Sequence, residues 1–267
     1  MERYRLKNII ILILVLVNCF LLGSLTLRKH AESSARQRRE DQLVALFASD
    51  GMTLDSNVFT TKSPPKALSM HHSEELEQKV AAFFLGKRLI LEKQNSVRIY
   101  TSEMGSVLFR EDGSFEISLT LTTDAEDICL DFCKTFSYAP PVLLPDETNS
   151  GTITTVRLLN QVPVYNATVS FRFKQGILTT VKGTLLPEQS VTVKLQQETL
   201  SAFAALTAFQ NMRRESGTVV SAVSDLYPCY ELQSTSSYPL LLIPTWCIVT
   251  DTSKYYVDCL SGLVSPG

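Results

Sequence analysis

The chain has 267 residues, of which 45% are hydrophobic and 19% charged, and its formal net charge is −2. This is the composition of a globular protein, and its near-neutral charge gives no electrostatic basis for binding nucleic acid. The part that follows residue 27 is long enough for one large domain or two small ones.

An uncharged run of twenty residues, 8–27, lies between Lys7 and Arg28 and is rich in isoleucine, leucine and valine. As a helix it would be about 30 Å long, which matches the hydrocarbon thickness of a bilayer. It is longer than the apolar part of a cleavable signal peptide, and Gly23-Ser24-Leu25 makes a poor cleavage site. The sequence therefore predicts that residues 1–27 form a short cytoplasmic head and a permanent transmembrane anchor.

The orientation of this anchor does not follow from charge alone. Positive residues precede the run (Arg3, Arg5, Lys7) and follow it (Arg28, Lys29, Arg36, Arg38, Arg39). Counting them would place the large domain in the cytosol, but long domains translocate largely regardless of charge. We expect a single-pass protein of the cell membrane, with a cytoplasmic N-terminus and an extracytoplasmic C-terminal domain.

Two residues of the run are candidates for contact with a partner helix. Asn18 is a strongly polar residue near its middle, and Gly23 is a small residue near its end. Asparagine can form hydrogen bonds between membrane helices, and small residues let two helices approach closely. The alternative is that Asn18 snorkels or bonds only its own backbone.

Helix and strand patterns organise the rest of the chain. Residues 28–72 predict a juxtamembrane helix that ends at Asp50-Gly51, followed by a linker. Over 73–139 we predict a first α+β subdomain, with a helix capped by Ser73, strands over 97–101, 106–110 and 114–121, and a helix over 124–136. The prolines and acidic residues of 140–151 indicate a boundary.

A second α+β subdomain is predicted over 152–267. Three β-rich segments, 152–160, 164–174 and 177–186, precede a helix over 198–214, and strands over 240–250 and 254–259 come last. Repeated hairpins with single helices predict an α+β fold in which antiparallel sheets pack on helices, in two similar subdomains.

No catalytic or cofactor-binding constellation is visible. The sequence lacks a nucleophile elbow, a phosphate-binding loop and a metalloprotease motif. Its three histidines, His30, His71 and His72, have no zinc-like spacing. The carboxylate pairs 111–112 and 126–127 are more typical of solvated caps than of an acid–base site. We expect a non-enzymatic protein without a cofactor or a metal.

Six cysteines occur. Cys129 and Cys133 lie four residues apart, on one face of a predicted helix. Buried free thiols that act as small apolar groups are the favoured interpretation. A Cys229–Cys247 or Cys247–Cys259 disulfide is the alternative, if the domain lies in an oxidising compartment. The acceptor motif for N-glycosylation at Asn166-Ala167-Thr168 lies in a predicted strand and is interpreted as structural.

Several segments carry a resemblance to a known family. They are the basic head 3–8 before the apolar run, 161–171 (QVPVYNATVSF) with 176–183 (GILTTVKG), and 243–249 (IPTWCIV) with 255–262 (YYVDCLSG). In this order they resemble the YycI family, membrane proteins of Gram-positive bacteria, and the last pair is similar to the terminal hairpin of PepSY-like modules. The resemblance covers the anchor and roughly residues 152–264, whereas 28–150 matches only in layout.

The resemblance implies an extracytoplasmic domain that regulates a WalK-like sensor histidine kinase and, through it, cell-wall metabolism. The partners it implies are the kinase and a YycH-like protein. Two alternatives stay open. The outer part could be a PepSY-like module that binds or inhibits a peptidase or a cell-wall hydrolase, or it could be an enzyme with a dispersed acidic site.

Overall fold

The computed structural model describes residues 2–59, 62–94, 96–120, 125–142, 150–187, 189–193, 198–234 and 240–267, with side chains for 13–24 and from 33 onward except 125 and 126. In these ranges its helices are α1 (Glu2–Ser49), α2 (Glu74–Leu85), α3 (Ala125–Thr135) and α4 (Ala202–Ser216), and a 3-10 helix spans Ser56–Val58. Its strands are β1 (Thr53–Leu54), β2 (Leu68–Met70), β3 (Ile90–Gln94), β4 (Val97–Ser102), β5 (Gly105–Arg110), β6 (Ser114–Leu119), β7 (Gly151–Leu159), β8 (Val162–Lys174), β9 (Ile177–Thr184), β10 (Ser190–Thr192), β11 (Ala222–Gln233), β12 (Leu240–Thr250), β13 (Lys254–Asp258) and β14 (Val264–Pro266).

These strands form one mixed sheet, with the order β10-β2-β12-β11-β8-β9-β6-β5-β4-β3 along its main path. The α+β prediction is confirmed. The expectation of antiparallel sheets holds for most pairs but fails for two, because β1 and β8 both run parallel to β11. Strand β11 lies parallel to β8, and the two are not joined by a hairpin because β9, β10 and α4 come between them in the chain.

Strands from both sides of the predicted boundary are direct neighbours. β6 pairs with β9 from Ser114↔Thr184 to Ser118↔Thr180. The sheet is therefore continuous between the segments 73–139 and 152–267. Their description as two similar subdomains stays a prediction, and residues 143–149 of the boundary lie outside the described part of the chain.

A first hydrophobic core lies between helices α2 and α3 and the strands β4 to β9. Phe132 of α3 is at its centre, where its ring contacts those of several neighbours: Phe83, Phe84, Phe115, Phe136, Tyr138 and Phe171. Cys129 and Cys133 are buried in the same core, as the spacing of four residues predicts.

A second core lies under the end of α1 and helix α4, which together cover β11, β12 and β13. Leu43 and Phe47 of α1 are buried there against Phe209 of α4 and Trp246 of β12. The long N-terminal helix is therefore part of the folded domain at its C-terminal end.

Helix α1 runs without interruption from Glu2 to Ser49, a length of about 70 Å at 1.5 Å per residue. The predicted juxtamembrane helix is thus the continuation of the predicted anchor, and it ends one residue before Asp50-Gly51, where Gly51 has a φ of 75°. Of the helices as far as their side chains are described, none is long and apolar enough to cross a membrane. The predicted span 8–27 lies partly outside those residues.

Helix starts follow local sequence signals. Ser73 caps α2 as predicted, because its hydroxyl accepts a hydrogen bond from the Leu76 backbone N–H at 3.3 Å. The predicted helix over 198–214 begins later, at Ala202. The reason is that Ser201 caps it and accepts a bond from the Ala204 N–H at 3.3 Å.

The Asn166 side chain is an element of the sheet. Its Nδ2 donates to the Leu232 carbonyl and its Oδ1 accepts from the Leu232 N–H, both at 2.8 Å. The amide therefore joins β8 to β11 beyond their backbone pair Val164↔Tyr230. This supports the structural interpretation of the 166–168 motif.

Candidate functional site

The N-terminal half of α1 presents apolar side chains on all sides between residues 13 and 22. They are between 49% and 72% exposed in this chain: Ile13, Leu14, Val15, Leu16, Val17, Phe20, Leu21 and Leu22. A helix that is apolar all round is typical of a membrane span or of a helix enclosed by partners. This segment is therefore the first candidate site of interaction.

Asn18 bonds its own helix. Its Nδ2 donates to the Leu14 carbonyl oxygen at 2.9 Å, which is the backbone alternative considered for this residue. An asparagine amide has a second N–H and two acceptor lone pairs on its oxygen. It can therefore bond a second helix while it keeps the contact with Leu14.

Gly23 leaves open space where a side chain would lie. A Cβ added at this position would meet no atom of the described residues within 4 Å, so nothing in that part of the chain requires glycine there. Asn18 and Gly23 are five residues apart, which is about 140° around the helix axis. The structure does not bring them onto one face, so a single partner helix can contact only one of the two.

The C-terminal end of α1 is fixed to α4 by a cluster around Asp50. The Asp50 carboxylate accepts hydrogen bonds from Gln210 and from Arg214 Nε, the latter at 2.7 Å, while Arg213 donates to the Asp50 carbonyl at 3.0 Å. The hydrogen bond from Arg214 is the main cause that lowers the pKa of Asp50. The carboxylate is therefore charged at neutral pH and holds the helix end on the second core.

A groove of about 620 Å³ lies between α1, the segment after the 3-10 helix and the start of α4. We name it the α1–α4 groove. Its floor is apolar and is formed by Leu43, Val58, Leu206 and Trp246. Trp246 is fully buried, and its indole N–H donates to the Leu200 carbonyl at 2.8 Å.

The rim of the α1–α4 groove carries mostly positive charge. Among the described residues, the basic ones that line it are Arg36, Arg39 and Lys62, against one carboxylate, Glu40. Arg36 Nε lies 2.6 Å from Glu40 Oε1, and its Nη2 donates to the Phe59 carbonyl at 3.1 Å. Since α4 has no acidic residue in its first turn, the positive end of its dipole adds to this charge.

A buried ion pair lies at the other end of the molecule and has a structural role. Glu77 of α2 accepts two hydrogen bonds from Arg98 of β4, from Nε at 2.7 Å and from Nη2 at 3.1 Å. The hydrogen bond to Glu77 raises the pKa of Arg98. His72 Nε2 is 3.2 Å from Glu77 but forms no hydrogen bond with the described residues, so we regard the bidentate Arg98 contact as the stabilising one.

All six cysteines are free thiols, so the interpretation as small apolar groups is confirmed for the five that are buried. The two disulfide alternatives are wrong for this structure. In the sheet register, Cys229 lies opposite Thr245 and Cys247 lies opposite Tyr256. Burial raises the pKa of Cys133 to about 11 and that of Cys259 to about 12, which keeps both thiols protonated at neutral pH.

Of the carboxylates in the pairs 111–112 and 126–127, Asp112 has a local structural role. Asp112 lies in the turn between β5 and β6, and its carboxylate accepts from the Ser114 N–H at 2.9 Å. This is the cap-like contact that the sequence favours. The side chain of Glu126 lies outside the described residues.

Comparison with known proteins gives a distant likeness in fold. No protein-family model matches the sequence, and no curated protein matches it. An uncharacterized protein from Eubacterium rectale is similar in structure, with 11% identity over 81% of this chain and 91% of that chain and a TM-score of 0.47. The C-terminal domain of Bacillus megaterium YpeB is 12% identical over 74% of this chain and 98% of that chain, with a TM-score of 0.34. Bacillus subtilis YycH is 12% identical over 76% of this chain and 52% of that chain, with a TM-score of 0.33.

These similarities are to YycH and YpeB and not specifically to the YycI family. The membership in that family stays a prediction from the sequence segments.

Proposed function

We propose that this protein is a non-enzymatic, membrane-anchored regulator of a WalK-like sensor histidine kinase that controls cell-wall metabolism. In this proposal residues 8–27 span the cell membrane, the N-terminus is cytoplasmic and the C-terminal domain is extracytoplasmic. The partners are the kinase and a YycH-like protein. The proposal rests on the sequence resemblance to the YycI family and on the form of helix α1.

The observation that carries the proposal is that the two ends of α1 have different surroundings. Its N-terminal half exposes apolar side chains all round, whereas Leu43 and Phe47 near its C-terminal end are buried in the second core. A single helix therefore connects the apolar segment to the body of the domain. Such a rod can transmit a rotation or a shift from one end to the other.

Regulation requires that the protein bind one state of the kinase more tightly than the other, because a ligand shifts an equilibrium only through its differential affinity. A transmembrane contact and an outer contact made by one rigid body can supply that difference together. In this arrangement the Asn18 face or the Gly23 face of α1 packs beside a kinase helix.

Crosslinking in the membrane tests the contact. A photoreactive residue at Leu22 reports the Asn18 face, one at Leu16 reports the Gly23 face, and one at Val17 lies off both. We expect the kinase to be captured from Leu22 or Leu16 and not from Val17. If the kinase is captured from Leu22, then Asn18→Leu should reduce that capture about fivefold, since such bonds between membrane helices contribute ~1 kcal/mol.

Two results would count against the proposal. Equal capture from all three positions would mean that the helix has no specific partner face. Capture of a peptidase or a cell-wall hydrolase by the outer domain, with no kinase recovered from any position, would favour the PepSY-like alternative.

A further inference from the structure

We infer that the α1–α4 groove binds an acidic peptide segment of a membrane partner, with apolar residues between its carboxylates, where that segment leaves the membrane beside α1. The inference deepens the proposed function and rests on its membrane anchor. It names the surface through which the outer domain would contact a partner and the chemistry which that partner must present.

The position of the groove favours a peptide over a lipid headgroup. Ala35, the first groove residue on α1, follows Leu27 by eight residues, which is about 12 Å along the helix. The headgroup region adds only about 5–8 Å on each side of the hydrocarbon core. The groove therefore begins beyond the headgroups, at a height where a partner's chain emerges from the bilayer.

The shape of the groove fits side chains of a peptide. Its volume of about 620 Å³ lies in the range of ligand sites, and its floor is apolar. Phe203 adds a 40% exposed ring at the start of α4. The four residues of the floor are already buried, so the Phe203 ring is the apolar surface on which side chains of an extended segment can pack.

The charge of the rim selects an acidic segment. Arg36, Arg39 and Lys62 face the groove together with the N-terminal end of α4, and Glu40 is held by Arg36. Carboxylates placed between apolar residues would meet the guanidinium of Arg39, which can bond a carboxylate in a bidentate manner. A basic segment would meet the same rim with repulsion.

Trp246 serves as a fluorescent reporter of the groove, because it is the only tryptophan of the chain and forms part of the floor. The full-length protein is placed in nanodiscs of zwitterionic lipid. The probe is an acetylated hexapeptide in which three glutamates alternate with leucine and phenylalanine. A second hexapeptide with glutamine in place of glutamate is the matched probe without charge.

We expect the acidic hexapeptide to change Trp246 emission in a saturable manner, more strongly at low salt, and the glutamine peptide to bind at least several-fold more weakly. Arg39→Glu should weaken binding about tenfold, because it removes an attraction and adds a repulsion. Arg38→Glu makes the same charge change one residue away, where the side chain is exposed and does not line the groove. It should leave binding within about twofold of the original value.

The inference is overturned if both peptides bind equally, or if Arg38→Glu weakens binding as much as Arg39→Glu. It is also overturned if the acidic peptide leaves the emission unchanged while nanodiscs of anionic lipid alter it, since the occupant would then be a headgroup. No kinase is present in this assay. A negative result here therefore does not affect the crosslinking test of the anchor. If that crosslinking fails, peptide binding to the groove can still be measured.

Discussion

Replacing Arg98 by methionine (R98M) should lower the free energy of unfolding by about 3–5 kcal/mol, because it leaves a buried carboxylate without its partner. The side chains of Glu77 and Arg98 are 2% and 12% exposed, and two hydrogen bonds join them. Removing the guanidinium leaves the Glu77 charge buried between α2 and β4 without a partner from Arg98. The measurement is chemical denaturation of the full chain, followed by circular dichroism.

A surface pair provides the control. Lys79 lies 2.8 Å from Glu75 on the same helix, but the two side chains are 64% and 78% exposed. Lys79→Met should cost less than about 0.5 kcal/mol. The double variant R98M with Glu77→Leu should recover most of the lost stability, since no charge then remains buried. Equal effects of R98M and Lys79→Met would refute the importance of the buried pair.

Phe47→Ala is expected to have the second large effect, a loss of about 3–5 kcal/mol in the free energy of unfolding. Phe47 is fully buried in the second core, where it holds the last turns of α1 against α4. Its truncation leaves a cavity at the junction between the long helix and the domain. Hydrogen exchange of residues 40–49 should therefore accelerate more than exchange in α2 or α3.

Val44 offers a matched comparison because it lies on the exposed side of the same helical turn. Val44→Ala should change stability by less than about 0.5 kcal/mol and leave hydrogen exchange in α1 unchanged. If Phe47→Ala behaved in the same way, the end of α1 would not be anchored in the core, and a rigid connection to the domain would be excluded.

The local features of the fold follow directly from sequence. The cap at Ser73 and its acidic first turn predict the start of α2, because these signals act within a few residues. The spacing of Cys129 and Cys133 predicts a buried helix face for the same reason. Turn residues in the sequence also separate β5 from β6, at 111–113, and β8 from β9, at 175–176.

The sequence pattern does not predict strand β11, although this strand lies in the middle of the sheet. Its residues do not alternate between polar and apolar, and Pro228 argues against a central strand. In the structure, Pro228 pairs with Trp246 and lies between the positions where β1 and β8 contact the other edge of β11. The sequence rule fails because the neighbours of this proline are set by distant parts of the chain.

The candidate sites also differ in how far the sequence predicts them. The apolar run and Asn18 are visible in the sequence, since each is a local property. The α1–α4 groove is not, because Arg39, Lys62 and Trp246 come from three distant segments that only the fold brings together. The terminal strands predict that Trp246 packs in a hairpin, but they do not indicate that it forms the floor of a groove.

We propose that α1 connects the predicted membrane span 8–27 to the domain as one rigid helix. Alanines inserted between Ser34 and Ala35 test it, because each residue turns the outer domain by about 100° relative to the span. We predict that two inserted alanines, a rotation of about 200°, abolish regulation of the kinase, and that four, which return the domain to within about 40°, restore much of it. Autophosphorylation of the kinase in membranes is the readout, and equal regulation by the two-alanine and four-alanine variants would contradict the account.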